Sequence, residues 1–311
     1  MLTRSSGGTT APSSSGTSLS VAWLFDNTTT DSTGNYNGYL VNGATYGTST
    51  SCLQRTNATI NIGSTQLLLT KNYFSGHIDN LRIVTRAKSA SEILSDASLI
   101  AYYSFDLPSP NYDSGPNGLH GSSVNTASVT GRVNQAMRFI GSSSYFQAYG
   151  FYQLGYGVNH HRPFSIALWI NPTSTAPCVF LQQSTTATGG SCINMLGFWT
   201  SSVSATQTTQ IVAQGYSWPT ISGPFITINT WTHILWTFSL ANEYALYVNG
   251  NYFGTLAHFT FSASTAITWL QLGYNFGCSV GYITNAAYQG SIDEVYLYNR
   301  ELSATEVRTL A

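Results

Sequence analysis

The chain has 311 residues and a formal net charge of −1, and only 7% of its residues are Asp, Glu, Lys or Arg, against about 25% in an ordinary soluble domain. Such a balance leaves no basic surface for nucleic acid; the tightest basic group, Arg82, Arg86 and Lys88, reads as a solvated strand end. No apolar run reaches the roughly 18 residues that a membrane-spanning helix needs.

What fills the chain instead is aromatic and small polar: 20 Tyr, 15 Phe and 7 Trp among abundant Ser, Thr, Gly and Asn. That mixture favours many short strands joined by turns. The opening stretch, Met1 to Ser20, is rich in Ser, Thr and Gly and has no apolar centre of a secretion signal. Residues 1–18 are expected to be a linker or disordered tail.

An internal repeat follows. Val21-Ala22-Trp23-Leu24-Phe25-Asp26, then Asp31-Ser32-Thr33-Gly34-Asn35, parallels Ala101-Tyr102-Tyr103-Ser104-Phe105-Asp106, then Asp113-Ser114-Gly115-Pro116-Asn117. The closing segments repeat as well: Gly76-His77-Ile78-Asp79-Asn80-Leu81-Arg82-Ile83 parallels Gly290-Ser291-Ile292-Asp293-Glu294-Val295-Tyr296-Leu297. Each is followed by a capping-box sequence, Ser89 to Glu92 and Ser303 to Glu306, which predicts a short helix. Only 54 positions separate Phe25 from Asp79, whereas 188 separate Phe105 from Asp293. The first copy, 19–98, is therefore truncated, and the second, 99–311, is complete.

Within the second copy, Phe164, Ile166, Leu168 and Ile170 alternate with Ser165, Ala167, Trp169 and Asn171, the period of a half-buried strand. Ile234, Trp236 and Phe238 do the same. Asn249-Gly250 between two aromatic runs predicts a two-residue hairpin with positive φ at both positions. The elements sum to an all-β fold, a two-sheet antiparallel sandwich or jelly roll, preceded by a truncated copy of itself.

In this order and spacing, the opening "FD…DS-G-N" segment, "FSIALWINP" at 164–172, "WTHILWTFS" at 231–239, "LYVNG" at 246–250 and the closing "GSIDEVYLYNRELSATEV" resemble the laminin-G-like (LamG) domains of the concanavalin A-like lectin and glucanase superfamily. The resemblance covers Leu19 to Ala311. It implies two stacked antiparallel sheets whose first and last strands are neighbours. The truncated copy keeps those two strands and is expected to pair them with each other.

Because the superfamily includes glucan hydrolases, a catalytic pair would have to come from the chain's twelve carboxylates. Glycoside hydrolysis needs two carboxylates held about 5–9.5 Å apart across the scissile bond. Glu92, Glu301 and Glu306 belong to helical ends, Asp26, Asp31, Asp106 and Asp113 to opening turns, and no Glu-x-Asp-x-Glu strand occurs. Asp293 and Glu294 are adjacent on a strand, so regular alternation sends them to opposite faces. The chain is expected not to be an enzyme.

The same alternation puts Asp79 on the face of Leu81 and Ile83, and Asp293 on the face of Val295 and Leu297. A core-facing carboxylate needs backbone N–H donors or a cation. Hydrogen bonding to a neighbouring turn is one reading. The other is a structural calcium held by Asp293 with Asp106 or Asp113, since the resemblance implies calcium where first and last strands meet.

Four cysteines allow three pairings. A hairpin centred near Thr186 to Gly189 sets Cys192 opposite a residue near Gln182 rather than Cys178, which favours Cys192–Cys278. Such cysteine use fits an oxidising compartment. Asn27 and Asn57 begin glycosylation sequons. For sugar binding the candidates are Trp218, in the turn-like Gly215 to Pro219, with Trp199 and Tyr216 behind it; the alternative for Trp218 is a loop anchor. Trp169, Trp231 and Trp236 are expected in packing. The expected function is that of a non-enzymatic extracellular recognition or adhesion module, secreted or an ectodomain of a larger protein, that binds a glycan or protein ligand. A structural spacer without a ligand is the alternative, and a carbohydrate-active hydrolase comes third.

Overall fold

The computed structural model describes residues 19–23, 62–63, 74–78, 81–152, 154, 162–200, 209–214, 220–225, 227–256, 266–278, 283 and 286–311. Asn27, Asn57, Cys52, Asp26, Asp31, Asp79, His160, His161, Tyr216 and Trp218 lie outside the described residues.

The chain divides into two compact units, Met1–Ser89 and Ala90–Ala311. In the first, strands β1 (Leu19–Trp23) and β2 (Leu81–Val84) form an antiparallel pair in which Trp23 faces Leu81, Ala22 faces Arg82 and Val21 faces Ile83. The opening and closing strands of the short copy therefore do pair.

The second unit begins with helix α1 (Ala90–Ser98), nine residues earlier than the boundary expected from the repeat. Its last residue explains the difference. The Ser98 hydroxyl accepts from Arg300 Nε at 2.8 Å, and its carbonyl accepts from Asn299 N, which ties the helix to the end of its own unit.

The strands that follow are β3 (Leu99–Tyr103), β4 (Gly121–Val124), β5 (Thr126–Thr130), β6 (Gln135–Phe139), β7 (Tyr145–Phe151), β8 (Phe164–Pro172), β9 (Cys178–Ser184), β10 (Ile193–Thr200), β11 (Thr209–Gln214) and β12 (Thr220–Phe225). Next come β13 (Thr232–Ser239), β14 (Glu243–Val248), β15 (Asn251–Leu256), β16 (Thr268–Leu272), β17 (Gly290–Tyr298) and helix α2 (Ala304–Leu310). One sheet has seven strands in the order β12-β11-β10-β9-β16-β7-β4. The other has eight, in the order β15-β14-β13-β8-β17-β6-β5, with β3 also paired to β17.

Alternation builds the core. Ile166, Leu168 and Ile170 of β8, Ile234, Trp236 and Phe238 of β13, and Phe146, Leu270 and Leu272 of the facing sheet join one buried cluster. The opposite face of the eight-stranded sheet presents Ala167, Leu235 and Tyr298, which α2 covers with Val307. The hairpin at Asn249-Gly250 has φ of 49° and 74°, the two positive values that a primed turn needs. At α2, Ser303 and Glu306 form the expected capping box.

Cys192 and Cys278 form a disulfide across a Cα–Cα distance of 5.8 Å. Cys178 lies opposite Phe198 in the β9–β10 ladder and is a buried free thiol. The bridge pins the segment after β16, whose Cys278 carbonyl also accepts from Asn194 Nδ2 and Asn275 Nδ2. It links positions 86 apart, and replacing both cysteines by Ser is expected to lower the unfolding free energy by about 2–4 kcal/mol. Denaturant unfolding measures this, and an unshifted midpoint contradicts it.

Candidate functional site

In the seven-stranded sheet, residues not aimed at the core form an outer face of unusual chemistry. Phe146 and Ala148 of β7 are buried in the core, so Tyr145, Gln147 and Tyr149 point outward. Leu270 and Leu272 of β16 likewise leave Trp269 and Gln271 on that side. Cross-strand pairing then lines up two adjacent rows. One holds Ser184, Trp269 and Tyr149. The other holds Asn194, Gln182, Gln271, Gln147 and Ser122, contributed by five neighbouring strands.

The Tyr149 and Trp269 rings lie 5.0 Å apart at 40°, with Tyr149 47% exposed. Beside this pair the amides are held in place. Gln271 Oε1 accepts from the Ser184 hydroxyl at 2.8 Å, and Gln271 Nε2 donates to the Ala187 carbonyl at 3.0 Å. Gln182 Oε1 accepts from Phe276 N, while Gln182 Nε2 and Asn194 Oδ1 are buried without a partner among the described residues. Nothing charged belongs to either row.

Of the sugar-binding residues expected from sequence, Trp199 is described, and it sits on this same face. It packs against Val179, Val212 and Ile283 in a small satellite cluster, away from the Tyr149–Trp269 pair. Tyr149 and Trp269 were missed. The signal for them was present, since each is an aromatic residue on the polar side of an alternating strand.

The carboxylates tell a different story, because β17 does not alternate regularly. Glu294 has φ of 51°, and the ladder to β8 advances three residues on β17, from Asp293 to Tyr296, against two from Trp169 to Ala167. This is a β-bulge. Ile292, Val295 and Leu297 face the core, and Asp293 lies with Trp169 and Tyr296 on the outer face. The expected placement of Asp293 on the face of Val295 and Leu297 is thus corrected, as is the expected opposition of Asp293 and Glu294. Both carboxylates turn to the same side, because the extra residue shifts the parity.

They are nevertheless enclosed. Asp293 Oδ2 accepts from Arg132 N at 2.7 Å and Val133 N at 3.0 Å, and Oδ1 from Glu294 N at 2.9 Å. The receiving turn has Gly131 at its start, where a Cβ would stand 2.6 Å from Asp293 Oδ2. Glu294 accepts from the Tyr102 and Tyr296 hydroxyls, whose rings stack at 4.3 Å. Asp106 accepts from Gln135 N at 2.9 Å. Asp113 is separate: it accepts from Tyr102 N, Gly115 N and Leu119 N, lashing its turn to the β3 edge.

Asp293 and Asp106 therefore hold the same β5–β6 turn, while Asp113 serves another. Among the described residues no group of three or more His, Cys, Asp and Glu is placed to hold a metal ion. Backbone N–H donors reach Asp293, Asp106 and Asp113, as the hydrogen-bonding reading expects. Beside them Arg132 lies 4.6 Å over the Trp169 ring, and Trp169 faces His233, whose imidazole burial pushes down to about 4.

Burial pushes the Asp293 carboxyl up to about 7, and neighbouring Glu294 adds to this, against the three N–H groups that pull it down. Its ordinary value is 3.8, so from about pH 4 to about pH 7 the folded chain holds a proton that the unfolded chain has released. Acidification through that window adds stability, and stability falls as the pH rises through it. Asp293→Asn removes this dependence. Comparing melting temperatures from about pH 8 down to about pH 5, the wild type is expected to gain on the variant; a constant difference contradicts the assignment.

A laminin-G family model of the concanavalin A-like lectin/glucanases superfamily matches residues 121–308, wholly within the second unit. No curated protein matches the chain. Among solved structures, domain 4 of AbnA, a GH43 extracellular arabinanase from Geobacillus stearothermophilus in complex with arabinotriose, is 21% identical, with a TM-score of 0.49 over 69% of this chain and 98% of that one. Trypanosoma rangeli sialidase in complex with sialic acid is 16% identical, with a TM-score of 0.48; this chain covers 32% of its length. The binding domain of Paraclostridial Mosquitocidal Protein 1 is 14% identical, with a TM-score of 0.46, over 69% of this chain and 52% of that one. Among the described residues no helix is long and apolar enough to cross a membrane. The family match spans more than half of the chain and agrees with its two-sheet antiparallel sandwich: the chain is a laminin-G-like member of the concanavalin A-like lectin/glucanases superfamily.

Proposed function

We propose that the chain is a non-enzymatic, extracellular recognition module that binds glycans on the outer face of its seven-stranded sheet. The observation that carries this reading is the Tyr149–Trp269 pair, Tyr149 exposed and Trp269 half-buried, beside a five-strand row of uncharged polar side chains whose Gln147 and Ser122 end reaches solvent. Aromatic faces bury the apolar C–H surface of a sugar ring, while the half-buried Gln147 amide and the exposed Ser122 hydroxyl donate to and accept from its hydroxyls; Gln182, Gln271 and Asn194 of the same row are fully buried and brace it from beneath. A surface without formal charge suits a neutral saccharide.

Two observations support the absence of turnover. Asp293 is fully buried and Glu294 nearly so, and the acceptor atoms of Asp293 and Asp113 are engaged by backbone N–H groups. Glu306 is engaged as well, since Arg300 and the Ser303 hydroxyl hold its carboxyl down at about 2. An extracellular setting accords with the Cys192–Cys278 bridge.

Affinity electrophoresis through gels containing soluble arabinan, xylan, galactan or mixed-linkage β-glucan tests the reading. At least one polysaccharide is expected to retard the chain, and Trp269→Ala to weaken that retardation on the order of tenfold, equivalent to about 1.4 kcal/mol. Retardation undiminished in Trp269→Ala removes the platform from the account.

A further inference from the structure

On the other sheet, the outer face of the β14–β15 hairpin carries a groove of about 590 Å³. Its floor is Ala245, a small side chain between larger neighbours. At one end stand Tyr247 and Tyr252, which face each other across the hairpin with ring centroids 5.6 Å apart at 69°. Tyr252 is 56% exposed. At the other end Asn242 Nδ2 donates to Glu301 Oε2 at 2.9 Å; Ser303 and Thr255 line the walls with hydroxyls already engaged, donating to Glu306 and to the Tyr244 carbonyl.

We infer that this groove is a second saccharide-binding site, separate from the Tyr149–Trp269 platform and specific for an uncharged sugar with neighbouring hydroxyls. Several features point to that class. The Asn242–Glu301 hydrogen bond fixes both side chains in orientation. Among the described residues it leaves Asn242 Oδ1 and Glu301 Oε1 as acceptors, suited to two hydroxyl donors. The exposed tyrosine supplies a stacking face at the far end, and the alanine floor leaves room for a ring between them. No lysine or arginine lines the groove and one carboxylate does, which disfavours sialylated, uronic or sulfated sugars. Because β14 and β15 belong to the eight-stranded sheet, this site and the platform face away from each other, and no single sugar ring touches both.

Saturation-transfer-difference NMR with the methyl glycosides of glucose, galactose, xylose and arabinose tests this separately from the platform. In Trp269→Ala, at least one glycoside is expected to keep its saturation signal. Adding Tyr252→Ala to that background is expected to cut the signal at least about fivefold, and adding Asn242→Ala instead to reduce it too. Both positions are exposed, so the variants are expected to melt like their parent, which a thermal scan checks. Loss of every signal in Trp269→Ala alone, or a signal that survives both further substitutions, overturns the groove; the first of these results leaves the platform standing. Wild-type chain that gives no signal with any of the four glycosides likewise overturns it, and the platform then rests on its polysaccharide test.

Discussion

The second unit is organised around one strand, β17, which joins the end of that unit to its first strand, β3. On one side it pairs with β8 along most of its length; on the other its first half pairs with β6 and its second half with β3. The handover occurs at the Glu294 bulge. There the backbone kink frees the two acidic side chains from the core-facing row, and Asp293 captures the β5–β6 turn while Glu294 captures the tyrosines of β3 and β17. Three strands, β3, β6 and β8, and the β5–β6 turn are thus fixed by one nine-residue strand. In the first unit β1 and β2 pair in a matching register: Trp23, Ala22 and Val21 face Leu81, Arg82 and Ile83 as Tyr103, Tyr102 and Ala101 face Val295, Tyr296 and Leu297.

Much of this is written in residue order, because each feature is local. Phe164 to Asn171 alternates, so β8 and its two faces are readable, and Asn249-Gly250 demands the turn it makes. The cysteine pairing followed from the place of a hairpin centre: Gln182 does lie opposite Asn194, so Cys192 is far from Cys178 in the ladder and bridges Cys278. The bulge was not readable. Nothing in Ile-Asp-Glu-Val announces positive φ at a glutamate, a conformation that costs free energy and persists only when surrounding contacts enforce it. Those contacts come from positions 102, 132 and 133, more than 150 residues upstream.

The aromatic platform was hidden for another reason. Tyr149 and Trp269 are 120 positions apart, and only the β7–β16 ladder brings them together. A tryptophan in a loop, such as Trp218, looks more available from sequence than one inside a regular strand. Yet a strand's outer row also reaches solvent where nothing covers it, as at Tyr149, and the backbone beneath it is far better fixed. In a chain with so few charges, both outer faces present an exposed tyrosine beside uncharged polar groups, whereas most carboxylates with a defined role hold the fold together. That division between recognition by neutral groups and construction by acidic ones connects the composition to the proposed role.

Closure at β17 is open to direct measurement by native-state hydrogen exchange read peptide by peptide. Amides of residues 290–298 and their partners at 99–103 are expected to be among the last to exchange, at a rate set by global unfolding, while the edge strand at 251–256 exchanges sooner. Exchange of 290–298 as early as that edge would mean that the two ends of the second unit do not lock the sandwich, and the account built on them would fail.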